Sequence, residues 1–131
     1  MADLTLRGQC EEAVRLVRAG DPAAAIGVCR RILETFPKHI GSYSILGQAT
    51  LQLGEHEEAA NLFRRVLSAD PEHTLSYATL GTIYSERGLL DEAIWQMERA
   101  LELSPGNREI RRELRHLYEQ RNLAHAPRLK M

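Results

Sequence analysis

Residues 74–107, TLSYATLGTIYSERGLLDEAIWQMERALELSPGN, decide how this chain folds. Apolar and small residues recur there at three and four positions, the spacing of one face of an α-helix: Tyr77, Leu80, Gly81 and Tyr84 form one stripe. Ala93, Met97, Ala100 and Leu101 form the next. Gly88 separates the stripes, and glycine ends a helix at little steric cost because it accepts positive φ. Pro105 closes the second stripe, since its ring nitrogen has no hydrogen to donate and the residue before it avoids helical geometry. The stretch therefore reads as two helices joined by a tight turn.

The same punctuation recurs outward from this stretch at a constant offset of 34 residues. Pro37, Pro71 and Pro105 share one column, Gly20, Gly54 and Gly88 a second, Ala25, Ala59 and Ala93 a third, and Leu33, Leu67 and Leu101 a fourth. Agreement of four independent columns in one register marks a repeat array, here with units 6–39, 40–73 and 74–107. Asp21 before Pro22 has the form of a helix N-cap followed by proline in the first turn, which fixes the start of the second helix of the first unit. Helices whose axes approach to about 8–10 Å need small side chains at the crossing. Gly47 and Gly81 on the first helices and Ala59 and Ala93 on the second meet that need, with Tyr43, Leu46, Phe63, Tyr77, Leu80, Tyr84 and Met97 filling the remaining space. After the third unit, Ile110, Leu114, Leu117 and Tyr118 share one helical face, with Arg111, Arg112, Arg115 and Glu119 mostly opposite, as expected of a capping helix over 108–122. Residues 123–131 contain Pro127 and no periodicity, so a flexible tail is expected.

Composition excludes several classes of function. The chain has 131 residues, 44% hydrophobic and 27% charged, enough for one soluble domain or a short array. Lys and Arg number 17 against 18 for Asp and Glu, so no chain-wide cation field exists to attract nucleic acid or anionic lipid. Charge is nevertheless uneven: residues 108–131 hold seven Arg or Lys against three Asp or Glu, whereas 40–73 and 74–107 are each net acidic. Without interleaved aromatics or a groove-entering motif, the basic segment reads as a solvated capping face, and nucleic-acid binding is not expected. Cys10 and Cys29 match no metal or redox spacing and are read as reduced thiols, Cys29 buried. No segment approaches the roughly 18 apolar residues of a membrane span and the N-terminus lacks a signal-peptide pattern, so no membrane association and a cytoplasmic location are expected. No phosphate-binding glycine loop, nucleophile elbow or His-Glu-x-x-His occurs, and the chain is read as neither an enzyme nor a cofactor or metal binder. His39 and His73 recur in the turns between units, where a role as ordinary turn residues is expected, because no cysteine or carboxylate recurs with them as a metal partner.

The chain resembles a tetratricopeptide repeat protein. The family's run of an aromatic, Leu-Gly and Tyr on the first helix, then Ala, Phe and Pro on the second, is matched by Tyr77, Leu80, Gly81, Tyr84, Ala93, Met97 and Pro105. The middle unit matches through Tyr43, Leu46, Gly47, Ala59, Phe63 and Pro71, with Thr50 in place of the late tyrosine. In the first unit Gln9, Glu12 and Ala13 replace the aromatic and Leu-Gly, and Leu16, Ala25, Cys29 and Pro37 keep the pattern, which makes it a degenerate terminal repeat. The resemblance implies an all-α fold, a superhelical solenoid of three helix-turn-helix repeats plus the capping helix within a single domain 1–131.

It also implies a concave groove lined by the first helices that receives a protein or peptide partner, the property of a scaffold or adaptor. The positions facing that groove are Arg7, Glu11, Val14 and Arg18, then Ser44, Ile45, Gln48 and Gln52, then Ala78, Thr79, Thr82, Ser85 and Glu86. These small and polar side chains suit hydrogen bonding to a peptide backbone with modest apolar anchoring. The family's chaperone-tail adaptors hold a C-terminal carboxylate with Lys, Asn and Arg. The matching places here carry Cys10, Val14, Ile45, Leu75 and Thr79, so that clamp is absent. Two alternatives remain: a structural module that self-associates as a homodimer through its N-terminal helix or an end of the array, and a recruiting fragment of a larger repeat-containing protein or enzyme.

Overall fold

The computed structural model describes residues 5–125, and among them all regular structure is helical. Three hairpins and a final helix follow the 34-residue register. Helices α1 (Leu6–Arg18) and α2 (Pro22–Thr35) make the first hairpin, α3 (Ile40–Gln52) and α4 (His56–Ala69) the second, and α5 (Thr74–Glu86) and α6 (Leu90–Leu103) the third. Helix α7 (Arg108–His125) follows. It outruns the expected end at 122, so residues 123–125, expected in a flexible tail, are helical. The rest of the expected tail lies outside the described residues. The chain divides into two compact units, residues 1–71 with α1 to α4 and residues 72–131 with α5 to α7.

The turn inside each hairpin has one solution, used three times. Gly20, Gly54 and Gly88 adopt φ of 77°, 79° and 77°. Around Gly54 the Glu55 amide donates to the Thr50 carbonyl and the Gly54 amide to the Leu51 carbonyl, the paired bonds of a Schellman cap. Leu16 and Val17 accept equivalent bonds in the first hairpin, and Tyr84 and Ser85 in the third. Asp21 caps α2 as expected, its side chain accepting from the Ala24 amide with Pro22 in the first turn.

In the first unit, α1 packs on both α2 and α3, and α3 on both α2 and α4. One part of its core joins Ala13, Val28, Cys29, Ile32 and Ile45, and another joins Tyr43, Leu62 and Val66. In the second unit Ala93, Ile94, Met97 and Ala100 of α6 meet Ile110, Leu114 and Leu117 of α7, which accounts for the apolar face that α7 carries. The Tyr118 hydroxyl adds a hydrogen bond to the Glu98 carboxylate at 2.8 Å.

The small residues at the hairpin crossings are explained by what faces them. A Cβ on Gly47 would stand 2.9 Å from the Phe63 ring, and one on Gly81 would stand 2.8 Å from Met97 Cγ. In the first hairpin the same two columns hold Ala13 and Cys29, both wholly buried and in one core cluster. The larger small residue thus meets the smaller large one. The degenerate repeat closes its hairpin with a small residue on each helix, and so needs no glycine at position 13.

Candidate functional site

One column, occupied by Thr5, His39, His73 and Asn107, caps the first helix of every hairpin and the final helix. Thr5 Oγ1 accepts from the Gly8 amide at 3.0 Å, and Asn107 Oδ1 from the Ile110 amide at 3.0 Å. His39 and His73 do the same with Nδ1, which accepts from the Ser42 amide at 3.1 Å and from the Ser76 amide at 3.2 Å. Each Nδ1 also lies 2.7 Å from the hydroxyl of that serine. Both serines are fully buried. An imidazole whose Nδ1 accepts from a backbone amide carries its proton on Nε2, so this bond fixes the neutral tautomer. The recurrence of His39 and His73, which in the sequence suggests no more than turn residues, therefore marks a structural cap in the role usually filled by Ser, Thr, Asp or Asn. A period of 34 linking two histidines to Thr5 and Asn107 was the available signal.

Four of the expected partner-facing residues converge. Arg7, Glu11, Val14 and Arg18 line an open depression of about 450 Å3 along α1, joined by Cys10 and Arg15. Arg7 Nε pairs with Glu11 at 3.2 Å, an i,i+4 contact between exposed side chains. Arg15 and Arg18 have no ion pair among the described residues. Arg15 lies one helical turn from Glu11, so the helical spacing that selects its neighbours also reaches it. Cys10 is only partly buried, and its thiol is raised from the ordinary range by desolvation, with a hydrogen bond from Ser42 acting the other way. Burial, with a smaller contribution from nearby Cys10, pushes the Cys29 thiol up to about 11. Neither environment generates the thiolate that nucleophilic chemistry requires.

The α3 residues divide. Gln48 is half-buried and Gln52 exposed, the latter donating from Nε2 to the Val17 carbonyl at 2.9 Å and so tying α3 to the end of α1. Ser44 and Ile45 are buried, with 6% and 9% of their surface exposed, so the expectation that they offer open surface is corrected. Ile45 is drawn into the core shared with Ala13, Val28, Cys29 and Ile32. In the second unit Ala78, Thr79 and Ser85 are half-buried while Thr82 and Glu86 are exposed. Ala78 packs against the α6–α7 core, and Thr82 Oγ1 is occupied with the Ala78 carbonyl. Among the described residues no three His, Cys, Asp or Glu side chains are grouped to hold a metal, and no helix is long and apolar enough to cross a membrane.

Structures of similar fold include MamA from Desulfovibrio magneticus RS-1, at 22% identity and a TM-score of 0.78 over 88% of this chain. This chain spans 66% of that one, short of two thirds. The first tetratricopeptide domain of Spaghetti (RPAP3), solved with the HSP90 peptide SRMEEVD, matches at 23% identity and a TM-score of 0.80, covering 88% of this chain and 90% of that one. A Thermobaculum terrenum O-GlcNAc transferase mutant matches at 26% identity and a TM-score of 0.78, over 85% of this chain and 21% of the enzyme. No curated protein matches by sequence. The family profile described as tetratricopeptide repeat matches residues 16–80 and 50–95, together more than half of the chain. With the helical register, the hairpin crossings and these matches in agreement, the chain belongs to the tetratricopeptide repeat family, in the all-α class of helical-repeat superhelices.

Proposed function

We propose that the protein is a non-catalytic interaction scaffold that takes an extended segment of a partner protein along the α1 surface of its first unit. The observation that carries this reading is the convergence of Arg7, Glu11, Val14 and Arg18 on one open depression. Val14 supplies apolar contact between charged and polar neighbours, a combination that suits an extended chain with alternating side chains. Gln48 and Gln52 of α3, which packs on α1, extend the polar lining. In the second unit Thr79, Thr82, Ser85 and Glu86 are proposed as contacts of the same kind. The peptide-bound RPAP3 domain supports peptide recognition as a use to which this fold is put. Two free thiols, one of them buried, fit a reducing compartment, and the proposal places the protein in the cytoplasm.

The test is selection of binding peptides from a displayed library, followed by mapping of amide shifts on the isotopically labelled protein. Shifts centred on α1 and α3, and at least tenfold weaker binding by Gln48→Arg, are expected, because a bulky cation then occupies the polar lining. Shifts centred elsewhere, or undiminished binding by that variant, would remove α1 as the site. A second reading, recruitment within a larger protein, is favoured by the O-GlcNAc transferase match, in which the matched stretch is 21% of the enzyme's chain.

A further inference from the structure

The final helix carries a second surface, distinct from the α1 depression. Arg108, Arg111, Arg112 and Arg115 stand at i, i+3, i+4 and i+7 on α7 and are all exposed. Together they line a depression of about 230 Å3. None of the four makes an ion pair among the described residues, although Glu109 and Glu113 share their helix. Arg111 donates from Nη2 to the Pro105 carbonyl, which anchors one guanidinium across the start of the helix. Like charges so close repel one another, so the row is poised to gain from a counter-charge that the described part of the chain does not supply.

The repeat register places two of these arginines in columns that, on the preceding first helix, face its second helix. Arg111 and Arg115 fall 34 residues after Tyr77 and Gly81, the aromatic and the glycine of the preceding first helix. Gly81 receives Met97 of α6 at its Cβ position. On α7 the corresponding positions present guanidinium groups instead. An apolar second helix cannot dock there without burying unpaired charge, whereas an acidic segment can.

We propose that the arginine face of α7 docks a short acidic segment of a partner protein. Two features set the class of ligand. The row spans seven helical steps from Arg108 to Arg115, about 10 Å at the helical rise, a reach matched by three or four residues of extended chain. Glu119, one turn beyond Arg115 on the same side, ends it with a negative charge. A long polyanion such as nucleic acid would run onto Glu119, and it would find no aromatic side chain within the row for base stacking. A few carboxylates instead meet guanidinium forks that accept them in bidentate geometry.

The test uses the full chain and a fluorescein-labelled decapeptide of alternating Glu and Ala, titrated by anisotropy at about 50 mM salt and again at about 200 mM. Saturable binding that weakens at the higher salt is expected. It should fall on the order of tenfold in Arg111→Gln/Arg115→Gln, a substitution that keeps helix propensity. Arg30→Gln/Arg31→Gln, which removes the same charge from exposed positions on α2, should bind as the parent does; helical circular dichroism checks that both variants are folded. A single-stranded oligonucleotide and phosphatidylserine vesicles serve as competitors and should bind more weakly than the peptide. Absence of peptide binding, equal loss in both variants, undiminished binding by the α7 variant, or tighter binding of the oligonucleotide or the vesicles would each overturn the proposal.

Discussion

Gly47→Ala and Gly27→Ala make the same chemical change within helices and should move stability in opposite directions. Replacing a mid-helix glycine by alanine gains about 1 kcal/mol from propensity and the reduced freedom of the unfolded chain. At Gly27 nothing lies within 4 Å of the added methyl group, so that gain should appear nearly whole. At Gly47 the methyl would meet three Phe63 ring carbons at 2.9, 3.0 and 3.3 Å. Phe63 is wholly buried, so its ring cannot swing into solvent. Overpacking of this kind costs about 1–3 kcal/mol, which leaves Gly47→Ala neutral to about 2 kcal/mol less stable than the parent. For a chain of this length 1 kcal/mol corresponds to roughly 3–5 °C in Tm. Thermal unfolding followed by circular dichroism should therefore separate the two variants by several degrees, with the parent between them or level with Gly47→Ala. Adding Phe63→Leu should reduce the Gly47→Ala penalty, giving a coupling energy in a double-mutant cycle. A Gly47→Ala protein stabilised as much as Gly27→Ala would refute the crossing geometry.

Three further outcomes are expected. His73→Ala should cost about 1 kcal/mol in urea unfolding and His73→Asn should restore most of it, because asparagine supplies the acceptor that the Ser76 amide requires. Cys29, whose thiol is held at about 11 against an ordinary value of 9.0, remains protonated in the folded chain while the unfolded chain ionises. Its contribution is thus unchanged below pH 9 and is lost as pH rises towards 11, by on the order of 2–3 kcal/mol; the stability difference between the parent and Cys29→Val, measured across that window, isolates it. A peptide ending in Glu-Glu-Val-Asp should bind no more tightly with a free C-terminal carboxylate than when amidated, since Cys10, Val14, Ile45, Leu75 and Thr79 stand where a carboxylate clamp would need cations or amides. A titration showing a tenfold preference for the free acid would contradict this.

The helices, their turns and the crossings were legible because each rests on a local rule repeated in register. Gly54 and Gly88 take the positive φ that a helix end asks of them, and Gly47 and Gly81 face Phe63 and Met97. The candidate site was legible only in part. Helical spacing tells which side of α3 carries Ser44 and Ile45, but depth of burial depends on how far α1 and α2 overlap that side, and sequence periodicity holds no such information. The histidine caps are hard to read from sequence for another reason: imidazole is an uncommon capping group, and only its column, shared with Thr5 and Asn107, gives it away.

The matched sizes of Ala13 with Cys29, Gly47 with Phe63 and Gly81 with Met97 have an evolutionary corollary. Each mismatch in bulk is absorbed inside its own hairpin, so a change at one of these positions can be answered by its partner sixteen residues away without recutting the face offered to the next repeat. Homologues should vary these positions two at a time, and a hairpin moved whole into another slot of the array should carry its fit with it.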